Sequence, residues 1–320
     1  MSTTVTRNRF SHSYMGVRGL FDIKAIVPAN TSVSNRENAP NIDLLLTLKI
    51  NLVKDDAGVL GGSRSWGNVG ARYHFAPWPE TEWQNFRRAF LERSRFWDNK
   101  FWFVLADAAR DTAAYRNIEQ DISIIETVHA DRKYICPMVV NCRFQAIITD
   151  TNPHYSLNAT YLVDENGNPA PQVENSRYIL RSDDSNIDNG DIYGPTVAHE
   201  LGHRLGLPHI GEMTLNAACV GWTGGYLFYD GNASVCYTTA DGALNNNIMG
   251  GGFEIDWRDA LPWRVAWQEI TGLPITAYTV HTSRQTASAY LPEMIVKHTL
   301  RWPQFHCSGL SLSSRLFCGW

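Results

Sequence analysis

The chain has no excess of either charge: 28 Lys and Arg stand against 32 Asp and Glu, a formal net charge of -4 over 320 residues. That balance leaves no basic field to draw in phosphate backbones or anionic lipid, so neither nucleic acid nor a membrane is expected as a partner. Long apolar runs are missing too. The longest, Ile42 to Val53, is broken by Asp43, Thr47, Lys49 and Asn51, far short of the roughly 20 residues a spanning helix needs. Met1 to Gly19 holds no apolar stretch and no small-residue cleavage site, the pattern of a chain without a secretory leader. The expectation is a protein that stays in the cytoplasm or is exported by a route that reads no leader. No CxxC pair occurs among the six cysteines, which excludes a ribbon-type zinc site and a thioredoxin motif. Internal repeats and low-complexity tracts are also lacking.

What the chain does have is bulk. Hydrophobic residues make up 44% and aromatics 12%, with 11 Trp, enough to build a core without help from disulfides. The cysteines fall into sequence-local pairs, Cys136 with Cys142, Cys219 with Cys236 and Cys307 with Cys318. In an oxidising compartment the last two pairs would clip a loop and close the tail; in a reducing one all six are buried thiols, and both readings stand.

Residues 1–40 are polar and aperiodic and read as an N-terminal extension. From Asn41, the alternation of Leu44, Leu46, Leu48, Ile50 and Leu52 with more polar neighbours predicts a half-buried strand. Asp55 to Ser65 reads as a loop. After Pro79, Trp83, Phe86, Phe90, Leu91 and Trp97 recur at helical steps, with Glu80 and Glu82 in the first turn. Strands are expected at Lys100 to Leu105, at Met138 to Thr149, and running into the Asp164-Glu165-Asn166-Gly167 turn. Helices are expected at Pro195 to Leu205 and Asp259 to Thr271. Residues 41–274 form the body, and 275–320 a tail of unknown role.

The chemistry lies in His199-Glu200-Leu201-Gly202-His203, followed by Gly206 and His209. Residues four apart on a helix share a face, so His199 and His203 can aim their imidazoles at one point, half of a zinc site. Glu200 stands beside the first ligand, where its carboxylate can reach a water at the metal's open position and act as general base. A helix continued past His203 would carry position 209 to the wrong face. Gly206, able to take a left-handed conformation, turns the chain so that His209 swings back. Three neutral imidazoles leave a fourth position open, as catalytic zinc sites do. With 10 His and 24 Gly in 320 residues, meeting both by accident at those two offsets has a chance of roughly one in 400.

His199 to His209 resembles the HExxHxxGxxH signature of the metzincin metalloproteases, and Asn247-Ile248-Met249-Gly250 resembles their Met-turn. The resemblance covers residues 41–274. It implies an α+β fold of the metzincin-like zincin type: a twisted, mostly parallel sheet with an active-site helix and a C-terminal helix. It also implies a zinc-dependent endopeptidase acting on protein or peptide substrates, with His199, His203 and His209 as metal ligands, Glu200 as base, and Met249 supporting the ligands without binding the ion. A zinc-stabilised binding module with the same fold, lacking turnover, is the alternative.

Departures limit the carry-over. Ile210, the residue after the third His, matches neither astacins nor adamalysins. Gly251 stands where astacins and serralysins have an oxyanion-stabilising tyrosine; Tyr226, Tyr229 or Tyr237 could substitute, or could be packing residues. No cysteine switch is visible before the helix. Asp183, Asp184, Asn186, Asp188 and Asp191 resemble a calcium loop with a displaced glycine and no closing glutamate, so a solvated acidic loop is preferred and Ca2+ is the alternative. Asn158 to Val163 or Arg177 to Leu180 would be the substrate-pairing edge strand. Trp222, Phe228 and Trp257 would line a pocket or belong to the core.

Overall fold

Every second side chain of the segment that begins at Asn41 is apolar, and this alternation turns Leu44, Leu46, Leu48, Ile50 and Leu52 into the interior, where all five are buried. In the computed structural model, which describes residues 3–27, 41–55, 64–66, 71–105, 139–164, 166–169, 186–188, 195–220, 236–244, 246–271 and 275–282, that strand is the spine of the sheet. The strands in chain order are β1 (Thr3–Tyr14), β2 (Val17–Val27), β3 (Asn41–Lys54), β4 (Arg64–Trp66), β5 (Ala71–Ala76), β6 (Phe101–Leu105), β7 (Val139–Ile148), β8 (Tyr155–Val163), β9 (Asn186–Asp188) and β10 (Tyr278–His281). The helices are α1 (Glu80–Ser94), α2 (Thr196–Arg204), α3 (Ile210–Met213), α4 (Ala217–Val220) and α5 (Leu261–Thr271). Short 3-10 turns follow α1 at Arg95–Trp97 and precede α5 at Trp257–Ala260. Among the described residues no helix is long and apolar enough to cross a membrane.

The fold is α+β, but the sheet is mixed and not mostly parallel. β3 pairs in parallel with β7 and, from Ile50 onward, with β8; β8 pairs in parallel with β9. The other described pairings are antiparallel: β1 with β2, β2 with β3, β4 with β5, β5 with β8, β6 with β7, and β10 with β6. Alternation of apolar residues fixes which face a side chain takes, but it is the same for both strand directions. The two-residue connection between β1 and β2 permits only an antiparallel neighbour, whereas longer crossovers keep the centre parallel.

Segment 1–40, in which no element is expected, supplies β1 and β2. This hairpin joins the sheet through β2, whose Phe21, Ile23 and Ala25 are in the core. Its attachment is polar as well. The backbone amide of Arg9 donates to Asp22 Oδ1 (2.8 Å), Lys49 Nζ pairs with Asp22 Oδ2 (2.8 Å), and buried His154 lies 3.0 Å from Asp22 Oδ1 through Nε2. The Lys49 amide donates to His154 Nδ1 (3.0 Å), so Nε2 carries the ring proton and donates to the carboxylate.

The helices converge on Trp97, which is fully buried. Its indole N–H donates to the Ala198 carbonyl in α2 (2.8 Å), and its ring packs on Trp263 of α5. Trp263 in turn donates to the Arg143 carbonyl of β7 (2.8 Å) and packs on Phe101. Burying side chains of this size contributes about 1.5–3 kcal/mol each, so this cluster pins the helix that carries His199 to both α5 and the sheet.

Candidate metal centre

α2 lies in the interior, with Val197, Ala198, Leu201, His199 and His203 all buried. Its end is a Schellman motif: the Gly206 amide donates to the His203 carbonyl (2.9 Å) and the Leu207 amide to the Gly202 carbonyl (3.0 Å). Gly206 has φ +92°, the left-handed conformation that an L side chain adopts only at a cost. The chain leaves the helix here, and extended backbone at His209 returns the third imidazole to the first two.

The three rings meet through their Nε2 atoms. His203 Nε2 lies 3.1 Å from His199 Nε2 and 3.2 Å from His209 Nε2. His199 Nδ1 lies 2.7 Å from the Ile248 carbonyl and His203 Nδ1 lies 2.7 Å from the Leu207 carbonyl. A carbonyl only accepts, so both Nδ1 atoms are protonated and both Nε2 atoms present bare lone pairs. Lone pairs this close repel unless a cation lies between them. Tetrahedral zinc with Zn–N bonds of about 2.0–2.1 Å would space its nitrogen ligands about 3.3 Å apart, close to the spacing here. The three histidines are thus close enough to hold a metal ion, and their donor chemistry fits zinc.

Burial disfavours the charged form of two of the rings: it pushes the pKa of His203 down to about 4 and that of His209 well below its ordinary value, the latter lowered further by the proximity of the His203 and His199 rings. His209 also anchors the turn that follows, its amide donating to Glu212 Oε2 (2.9 Å) at the start of α3.

Met249 is wholly buried, and its Sδ lies against the backbone at Gly202, where no side chain holds it off. Its amide donates to Asn247 Oδ1 (2.7 Å), while its carbonyl accepts from the Ile210 amide (2.9 Å). With the Ile248 carbonyl on His199, this turn is bonded to both ligand-bearing segments. Asn247 is fixed from behind, its Nδ2 donating to Asp259 Oδ2 (2.7 Å). Asp259 is fully buried, also accepts from the Asp256 amide (2.7 Å), and has its pKa raised to about 7 by burial. Nothing in the sequence marks Asp259 as more than an acidic residue near a helix start; its role needs a partner twelve positions away.

Glu200 is half-buried beside His199 and borders a small apolar recess formed by Phe90, Leu157, Ile187 and Val197. Of the three tyrosines weighed as oxyanion helpers, Tyr237 is at the centre: its ring packs 4.5 Å from that of His209 and 5.8 Å from that of His199, centroid to centroid. Tyr226 and Tyr229 lie outside the described residues, as do Trp222, Phe228, Asp183, Asp184, Asp191, and Arg177 to Leu180. Tyr237 follows Cys236, which is bridged to Cys219. Cys142 is a free buried thiol, so it is not paired with Cys136, which lies outside the described residues together with Cys307 and Cys318. Asn186 and Asp188, offered as calcium ligands, are the end residues of strand β9. Trp257 is exposed, with the guanidinium of Arg258 over its ring, and belongs to neither the core nor the histidine cluster.

Comparison with protein-family models, with curated proteins and with solved structures finds no match to this chain.

Proposed function

We propose that the chain is a zinc-dependent endopeptidase of the metzincin type. The observation that carries this reading is the meeting of three imidazole Nε2 atoms, two of them bare lone pairs because the Nδ1 protons of His199 and His203 are committed to carbonyls. Supporting it are the turn of Asn247 to Gly250 beneath α2, the helix α5 after it, and the parallel strands β7, β3, β8 and β9 ahead of the histidines.

His199, His203 and His209 would hold the ion, and zinc so bound supplies Lewis acidity that acidifies water and polarises a carbonyl oxygen. Glu200 accepts the proton of the attacking water on a carboxylate oxygen and delivers it to the leaving amine nitrogen. The Cys219–Cys236 bridge suits an oxidising setting, which favours export over a cytoplasmic role.

Glu200→Ala is expected to retain zinc by elemental analysis and to lose about 10²–10⁴-fold in cleavage of a denatured protein, whereas His209→Ala loses the metal as well. Cleavage by Glu200→Ala at the parent rate would overturn the assignment of the base. Metal uptake without turnover of any denatured protein or peptide library points instead to the binding module.

A further inference from the structure

The Schellman turn leaves two carbonyls at the end of α2 without helical partners, those of Arg204 and Leu205. Both are satisfied from outside the helix. The Tyr155 hydroxyl at the start of β8 lies 3.1 Å from the Arg204 carbonyl and 3.2 Å from the Arg18 carbonyl of β2, its one proton shared between them, and His12 Nε2 in β1 lies 2.7 Å from the Leu205 carbonyl. Because that carbonyl can only accept, His12 is the Nε2-protonated tautomer and donates. Its reach is built into the hairpin. His12 sits opposite Gly19, and a side chain at Gly19 would strike the Leu205 carbonyl, so the missing Cβ lets β2 lie directly against the turn. A Cβ on Gly206 would meet His12 Cε1 at 2.6 Å and the Gly19 amide nitrogen at 2.9 Å. The ring of His12 is also wedged beside Phe10 and Phe21.

The turn gripped in this way, Leu205-Gly206-Leu207, contains the carbonyl that orients a ligand: Leu207 O accepts from His203 Nδ1. It also begins the path by which the chain returns to His209. We infer that His12 is a positioning residue of the metal centre, and that the N-terminal hairpin is a latch through which docking of β1–β2 and metal binding strengthen each other. This rests on the metal site read above. The latch fixes the Leu207 carbonyl and hence the His203 ring, so a metal that needs the ring in that pose also favours the docked hairpin; such coupling is reciprocal.

The test measures zinc affinity by chelator competition in the full chain, together with hydrogen exchange of the hairpin with and without zinc. His12→Phe keeps an aromatic ring between Phe10 and Phe21 but removes the donor. It is expected to weaken zinc binding about tenfold, the lower end of the range for partners that orient metal-bound imidazoles. His12→Gln, which restores an N–H donor, is expected to recover part of that loss. In the unaltered chain, zinc is expected to slow exchange at the amides of β1 and β2. Equal zinc affinity for His12→Phe and the unaltered chain, or hairpin exchange that ignores zinc, overturns the latch while leaving the metal centre intact. Failure of the unaltered chain to take up zinc overturns both. If His12→Phe does not fold, the exchange measurement on the unaltered chain decides by comparison: slowing by zinc that is greater in β1 and β2 than in β6 and β10 supports the latch, and slowing no greater there overturns it.

Discussion

Asp259 is a carboxyl group with an unequal environment: Oδ2 accepts two hydrogen bonds, while Oδ1 is buried with no partner among the described residues. Burial raises its pKa from 3.8 to about 7. An acid that binds its proton more tightly folded than unfolded stabilises the fold fully below the unfolded value. That contribution is lost as pH rises toward the folded one. Between about pH 4 and about pH 7 it should therefore cost on the order of 4 kcal/mol. Asp259→Asn, neutral at every pH and still able to accept from Asn247, is expected to flatten this slope, read from urea midpoints across that range; an unchanged slope would assign the titration elsewhere. The ligands answer to acid differently. With the pKa of His203 lowered to about 4 and that of His209 well below its ordinary value, protons should not compete at these two ligands above about pH 4, so zinc content followed by elemental analysis is expected to hold through mild acid and fall only near that value.

Between α3 and the Met249 turn, the chain is held by a covalent link. Cys219 and Cys236 are 17 positions apart, and closing a loop of that size stabilises the fold by about 3 kcal/mol in the chain-entropy description. The double variant Cys219→Ser/Cys236→Ser is expected to lose about that much by chemical denaturation while keeping its zinc, since no ligand lies within the loop. Loss of zinc stoichiometry would show that the bridge also shapes the site. At the end of α2 the constraint is conformational. Gly206→Ala adds a Cβ at φ +92° and 2.6 Å from His12; it should destabilise by about 1–2 kcal/mol from backbone strain alone and more from the contact. These two devices act on neighbouring segments by different means, one restricting the unfolded chain and the other fitting the folded one.

Taken as a body, the protein joins its histidine cluster to distant parts of the chain: β1 through His12, β8 through Tyr155, the 247–250 turn through Ile248 and the 3-10 turn before α5 through Asn247 and Asp259. Zinc that binds only the folded state should stabilise all of it together. At a hundredfold excess over Kd the gain is about 3 kcal/mol, or roughly 5 °C in Tm for a chain of this size, reversed by a chelator. A melting curve indifferent to zinc and chelator alike would count against the centre.

The ligand set was legible because it is local: a four-residue helical step, a glycine able to turn left-handed and a histidine three positions beyond it are all features of one short segment. β3, α1 and α5 were legible for the same reason, through the alternation or helical spacing of their apolar residues. The hairpin was not. Its outer face carries Thr4, Thr6 and Ser11, which read as solvated chain, and the carbonyl that gives His12 its purpose lies 193 positions away. Strand direction was hidden as well, since parallel and antiparallel partners ask for the same alternation. So the sequence alone determined which side chains come close enough to hold a metal ion, by local geometry. Tertiary packing decided what holds them there, because hydrogen bonds between distant carbonyls, imidazoles and carboxyls exist only once the chain has brought those groups together.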